Sequence, residues 1–139
     1  MRCLSVKQPH AGRLASSEKT IELRSWSWSY RGPVIVCASG RGERGASGPH
    51  GVTVGIVELI DVRPATPEDA ERAGLSRERM AHWLATTRAP FAWIVANARP
   101  VAHVPVKGQL APWTPSSVLL DAITRPRPPG VAEPPPCPA

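Results

Sequence analysis

The chain has 139 residues, 17 of them proline, a formal net charge of +6 and only three cysteines. That length suits one domain with its own core, while an odd cysteine number with no C-x-x-C pair argues against a disulfide framework or a thiolate zinc site and fits a reducing compartment. The positive balance favours an anionic partner, nucleic acid above all, although an excess of Arg, Ala, Pro and Gly is also what a GC-rich genome writes by default.

The N-terminal "MRCLSVKQPHAG" has no continuous apolar run, and apolar stretches elsewhere are of strand length, so a cytoplasmic protein without export or membrane spanning is expected. "CLSVK" predicts a short strand ended by "QPHAG", because the residue before Pro9 is driven to extended conformations. A short helix is expected over Ala11 to Ser17. "KTIELRSW" alternates with a period of two, placing Ile21 and Leu23 on one face and Thr20, Glu22, Arg24 and Trp26 on the other. "PVIVCAS" is a β-branched strand, and "GRGERGASGPHG" is too glycine-rich for anything but a flexible loop.

"VTVGIVELIDV" is the longest strand signal. Strict alternation puts Glu58 on one face with Val52, Val54, Ile56, Ile60 and Val62, where a carboxylate is desolvated unless a cation compensates. "TPEDAERAG" carries helix marks, with Thr66 at the N-cap, Pro67 in the first turn and Gly74 after the end. "SRERMAHWLATTR" repeats them, with Met80, Trp83 and Leu84 as packing residues. "FAWIVANARPVAHVPV" reads as a strand or bent strand pair, and "TPSSVLLDAITR" as a closing amphipathic helix. From Arg125 onward "RPRPPGVAEPPPCPA" is about half proline and is read as a disordered tail, dividing the chain into a domain at 1–124 and a tail at 125–139. Strands outnumber helices without regular βαβ alternation, so the class is α+β, a small β-barrel or curled sheet with short helices packed at its ends.

Lys7, Lys19 and Lys107 are the three lysines of a chain that otherwise uses arginine, and each stands beside a punctuating residue. Lysine offers a compact charge with an adjustable pKa where a planar fork does not serve. Glu22 and Arg24, about 6.5–7 Å apart on one strand face, can pair or hold a ligand between them, but the spacing suits an exposed ladder worth less than about 1 kcal/mol equally well. His10, His50, His82 and His103 have none of the spacings that metals need, so neither metal nor cofactor is expected. Trp83 reads as core, whereas Trp26, Trp28, Trp93 and Trp113 suit stacking on bases as well as on one another.

The segments "LSVKQPHAGRLASSEKTIELRSWSWSYRGPVIVCAS", "GVTVGIVELIDV" and "FAWIVANARPVAHVPVKGQLAPW", in that order, resemble the ASCH domain, the activating-signal-cointegrator homology family. The likeness runs from about Cys3 to Trp113 and centres on a G-x-K-x-x-E-x-R motif, present as Ser17, Lys19, Glu22 and Arg24. It implies a PUA-like β-barrel with the motif residues gathered in a cleft, and binding of RNA or another nucleic acid. On that basis Lys19 and Arg24 contact phosphate, Glu22 orients Arg24 or reads a base edge, and Lys7, Gln8 and Lys107 line the rim.

Some family members resemble enzymes, either ribonucleases or hydrolases of acylated cytidine that use the motif Lys, a Thr and a downstream Glu. Carried across, the catalytic set of an enzyme is Lys19, Glu22 and Glu58, with Glu22 at the Thr position and the hydroxyl nucleophile missing. A third implication, from the coactivator proteins that give the family its name, is a protein-interaction module docking through its proline-rich tail and a barrel edge. Two further departures bear on the site. Ser17 replaces the motif Gly, so a left-handed turn there carries a cost, and His10 replaces the usual Trp after "QP".

Overall fold

The computed structural model describes residues 1–124; the expected tail and Cys137 lie outside the described residues. Five strands, β1 (Arg2–Val6), β2 (Ile21–Arg24), β3 (Gly32–Ala38), β4 (Thr53–Pro64) and β5 (Phe91–Pro100), form one sheet in the order β1-β3-β4-β5-β2. β1 runs parallel to β3, and the other pairings are antiparallel. Three helices accompany them: α1 (His10–Ala15), α2 (Arg77–Thr86) and α3 (Ser117–Thr124). β1 and β2 are therefore the two edges. The sheet curls until Arg24 on one edge donates to the Ser5 carbonyl on the other at 2.8 Å, so a side chain and not a ladder bridges the seam.

The hydrophobic pattern explains the layers. Leu4 and Val6 of β1, Val34 and Val36 of β3, and Trp93 and Val95 of β5 point into the curl, where Ala11, Leu14 and Ala15 of α1 plug it. The opposite parity, Cys3, Ile35, Cys37 and Ile56, is covered by Leu119 and Ile123 of α3. Gly55 makes the plug possible. A Cβ there would stand 2.6 Å from the Ala15 Cβ, so α1 and β4 can meet only at a glycine.

Strict alternation along β4 fails, and Glu58 with it. The pairing of β4 with β5 slips between Ile56 and Glu58 and again between Leu59 and Asp61. A further irregularity, in the pairing with β3 between Thr53 and Gly55, moves the inward set from Val54 to Val57 and Leu59; Ile56, Glu58 and Ile60 then share the outer face, where α3 covers Ile56 while Glu58 and Ile60 are exposed. Glu58 is exposed and accepts from the Asn97 amide at 3.0 Å. Asn97 sits at φ 52, the left-handed region that Asn tolerates better than most residues. The expected burial of Glu58 is thus corrected: it shares the face of Ile56, but Leu119 and Ile123 cover Ile56 and leave Glu58 exposed, while Val54, on the same parity in sequence, is turned to the other layer by a bulge.

Two smaller corrections follow the same logic. "TPEDAERAG" gives only a 3-10 turn, Pro67–Asp69, followed by further turns to Gly74; the Asp69 carboxylate accepts from the Thr66 amide at 2.8 Å and from Arg63 at 2.7 and 2.8 Å. The tryptophans exchange roles. Trp93 is 1% exposed and donates to the Trp26 carbonyl, while Trp83 is half-buried at the surface of α2.

Candidate nucleic-acid interface

The alternation of β2 delivers its charges to the inner side of the seam. Glu22 stands opposite Trp93 in the β2–β5 register, and the Arg24 guanidinium lies 6.0 Å from the Trp93 ring. Lys19 arrives from the turn after α1. Ser17 holds φ 68, the left-handed conformation for which the motif position favours glycine, and the Lys19 amide then donates back to the Arg13 carbonyl at 3.1 Å. This reversal directs Lys19 under the strand.

Lys19 and Glu22 are 3% and 6% exposed. Lys19 Nζ lies 2.9 Å from Glu22 Oε1, and Arg24 donates from Nη2 and Nε to Glu22 Oε2 at 2.9 and 3.1 Å. Burial pushes the Glu22 carboxyl up, but the charges of Lys19 and Arg24 outweigh it and hold the group below the ordinary carboxylate range. This is a buried, fully paired cluster and not a solvated ladder.

The cluster continues through His10. Lys19 Nζ lies 3.0 Å from His10 Nδ1, and His10 Nε2 lies 3.0 Å from Glu43 Oε1. Burial, and then the charge of Lys19, push the imidazole below its ordinary value of 6.5, so it is neutral at pH 7. The neutral tautomer consistent with this network accepts from the Lys19 ammonium at Nδ1 and donates its Nε2 proton to Glu43. Arg79 Nη2 approaches the same Glu43 oxygen at 3.6 Å. Slight burial raises the Glu43 carboxyl, but its bond to His10 and the nearby Arg79 hold it below the ordinary range.

These groups floor and wall a cleft of about 420 Å³ along the seam. Lys7, Lys19, Arg24 and Arg79 supply positive charge, Glu22 and Glu43 negative, and Leu23, Leu75, Trp83 and Leu110 apolar wall. Four of the residues expected at the site, Lys7, Lys19, Glu22 and Arg24, are brought together here. Gln8 is not: it is buried, donates to the Pro49 carbonyl at 2.9 Å and accepts the Gly12 amide at 2.9 Å, pinning the glycine-rich loop to α1. Lys107 lines a different cavity, of about 340 Å³, with Trp113 and α3. Glu58 lies outside the cleft, and Thr20 instead accepts from Arg72 at 3.0 Å.

Sequence reasoning missed Glu43, Arg79 and the cleft position of Trp83. Glu43 is the lone acid of "GRGERGASGPHG", and Arg79 and Trp83 are four apart on α2, hence on one face. Neither signal identifies a site until the loop and helix are seen to meet over β1 and β2.

A curled five-stranded sheet plugged by short helices, with its charged residues in the open seam, is a PUA-like β-barrel. The model of the ASCH domain matches residues 4–105, and the chain belongs to that family. It is similar to the solved structure of the ASCH protein of Zymomonas mobilis, with a TM-score of 0.67 at 13% identity over 86% of this chain and 90% of that one. Serine-to-alanine and tyrosine-to-phenylalanine variants of that protein give TM-scores of 0.67 and 0.66 at 14% and 13% identity, over 86% of this chain and 92% and 94% of theirs. Likeness at this identity concerns the fold. No curated protein matches the chain.

Proposed function

We propose that this chain binds RNA through the seam cleft, which takes one unstacked nucleotide of a single strand. The observation that carries the reading is a cleft of about 420 Å³ that sets four cationic side chains against two carboxylates and is walled by Trp83 and Leu75. Its size falls in the ~300–1,000 Å³ range of small-ligand clefts and suits a splayed base, not a paired helix. An aromatic wall for the base with basic groups for its phosphate is the usual composition of single-strand sites. The family is generally linked to RNA binding, and the net charge of +6 has the matching sign.

Roles within the cleft follow from which charges are already committed. Lys19 and Arg24 are spent on Glu22 and form a rigid floor, so phosphate contact falls to the exposed Lys7 and Arg79, and stacking to Trp83. The test is an anisotropy titration of a labelled single-stranded oligoribonucleotide with the full chain at two salt concentrations. Affinity falls with a log-log slope of about −0.7 per phosphate neutralised, and Lys7→Ala removes about one such increment. Trp83→Ala costs about 1–3 kcal/mol. Salt-independent binding, or Lys7 and Trp83 variants that bind as wild type does, would sink the reading.

A hydrolytic reading has one observation behind it: Lys19, His10 and Glu43 are joined in the order nucleophile, base and orienting carboxylate. Against it, Lys19 Nζ is already committed to Glu22 Oε1 at 2.9 Å and His10 Nδ1 at 3.0 Å and is buried in the floor of the cleft, away from an incoming carbonyl or phosphate. Shortened RNA on a denaturing gel, abolished by His10→Gln in a folded protein, would reverse that judgement.

A further inference from the structure

Glu43 stands apart from the other acid of the cleft in how it is held. Its backbone is fixed, with the amide donating to the Gln8 carbonyl at 2.9 Å and the carbonyl accepting from Ala46 at 2.9 Å. Its side chain is 37% exposed and reaches from the glycine-rich loop to donors on two helices, His10 Nε2 of α1 and Arg79 Nη2 of α2. Lys7, which forms no ion pair among the described residues, lines the same cleft.

An imidazole and a guanidinium converging from separate elements, with a free ammonium lining the same cleft, make a donor set for an anionic oxygen. We propose that the corner between His10 and Arg79 is a phosphate subsite that the Glu43 carboxylate occupies in the free protein, and that a phosphate group enters by displacing the Glu43 side chain. The ligand chemistry is phosphate, free or esterified. Its assignment to a polynucleotide backbone rests on the RNA reading above.

The energetics favour exchange at Glu43 and forbid it at Glu22. Exposed ion pairs contribute little because water screens them, and the Arg79 contact is already stretched to 3.6 Å. Once displaced, the Glu43 carboxylate moves into water without a desolvation cost. A phosphate offers several acceptor oxygens and more charge, so it can accept from His10 and Arg79 through separate oxygens, where a single carboxylate oxygen now faces both. Glu22, with contacts of 2.9–3.1 Å and almost no exposure, has no such route out. The groups facing His10 are Lys19 and Glu22 from the floor and Glu43 from the loop, and Arg79 approaches the outer side of Glu43.

The experiment is a titration of the full chain with inorganic phosphate, followed through the His10 ring signals by NMR, in wild type, Glu43→Gln and Arg79→Gln. Glu43→Gln is expected to bind phosphate about fivefold more tightly, because the competing carboxylate is gone, and Arg79→Gln more weakly. Equal affinity in wild type and Glu43→Gln, or binding that leaves the His10 signals unmoved, overturns the subsite. The same proteins are then titrated with a labelled single-stranded oligoribonucleotide. Tighter binding by Glu43→Gln that inorganic phosphate competes away identifies the phosphate as that of the RNA backbone. Phosphate binding at His10 without RNA binding by any variant keeps the subsite and overturns the RNA reading. RNA binding that neither Glu43→Gln nor phosphate alters keeps the RNA reading and overturns the subsite.

Discussion

Glu22 and Glu58 are carboxylates on strands of the same sheet, in sequence surroundings that point the wrong way for both. Glu22 shares its strand face with Thr20 and Arg24 on a four-residue edge strand, yet is almost fully buried between Lys19 and Arg24. Glu58 lies among aliphatic residues on a 12-residue strand at the sheet's interior, yet faces solvent beside Asn97. What decides burial is the layer that covers a face, not the hydropathy of residues adjacent in sequence. At Glu22 the curl of the sheet folds the seam, α1 and the following turn over the strand. At Glu58 the cover that α3 gives Ile56 on the same face has ended.

The largest effect that separates the two comes from removing the buried charge. Glu22→Ala leaves the Lys19 ammonium buried without its counter-ion and is expected to cost about 3–5 kcal/mol in urea unfolding. A cost below about 1 kcal/mol would place Glu22 with ordinary surface pairs and erase the contrast. Glu22→Gln, of the same shape, separates charge from volume.

Acid sharpens the comparison at the same end of the molecule. His10 is held below its ordinary 6.5, so as pH falls through that value the unfolded chain takes up a proton that the folded chain refuses, and stability declines. The Glu22 carboxyl is held below its ordinary 4.5, so its contribution is present above that pH and is lost as pH falls through the lower folded value. Two descending steps are therefore expected in stability against pH. His10→Gln should remove the upper step and leave the lower one. An upper step that survives in His10→Gln would assign it elsewhere.

The helix-ending turn that aims Lys19 was legible in sequence because its cost is local. Ser17 stands where the motif carries Gly, and it does adopt φ 68. Ser17→Gly is expected to stabilise the protein by about 0.5–1 kcal/mol, since a side chain is relieved of a left-handed conformation at some extra chain entropy in the unfolded state. A neutral or destabilising result would mean that the Ser17 side chain contributes something the backbone strain conceals.

The same distinction explains what could be read from sequence and what could not. Strand alternation put Glu22 and Arg24 on one face, and local punctuation located α1, α2 and α3 to within a few residues. Motif resemblance joined Lys19 to them in a cleft and narrowed the curled sheet to a PUA-like barrel. Residues whose role depends on elements far apart in sequence escaped: Glu43 meets His10 across 33 residues, and Gln8 meets Pro49 across 41. Alternation also carries no mark where a bulge resets it. Nothing in "VTVGIVELIDV" announces that Val54 and Ile56, two residues apart, pack into opposite layers.

Glu58→Gln gives the smallest expected effect and for that reason isolates the claim about β4. An exposed carboxylate accepting from one amide at 3.0 Å should be replaceable by an amide at a cost within about 0.5 kcal/mol. Two measurements decide it: the urea midpoint, and oligoribonucleotide binding in the same buffer. If Glu58 is outside the cleft, both stay near wild type, because neither the buried cluster nor the phosphate contacts involve it. A drop in binding without a drop in stability would instead place Glu58 against the ligand, and the RNA would then have to run from the seam across the outer face of the sheet. A drop in stability without a drop in binding would assign Glu58 to the bulge itself, through its hold on Asn97 in the left-handed region. Asn97→Gly would then test that role, since glycine keeps the backbone conformation while removing the amide that Glu58 accepts.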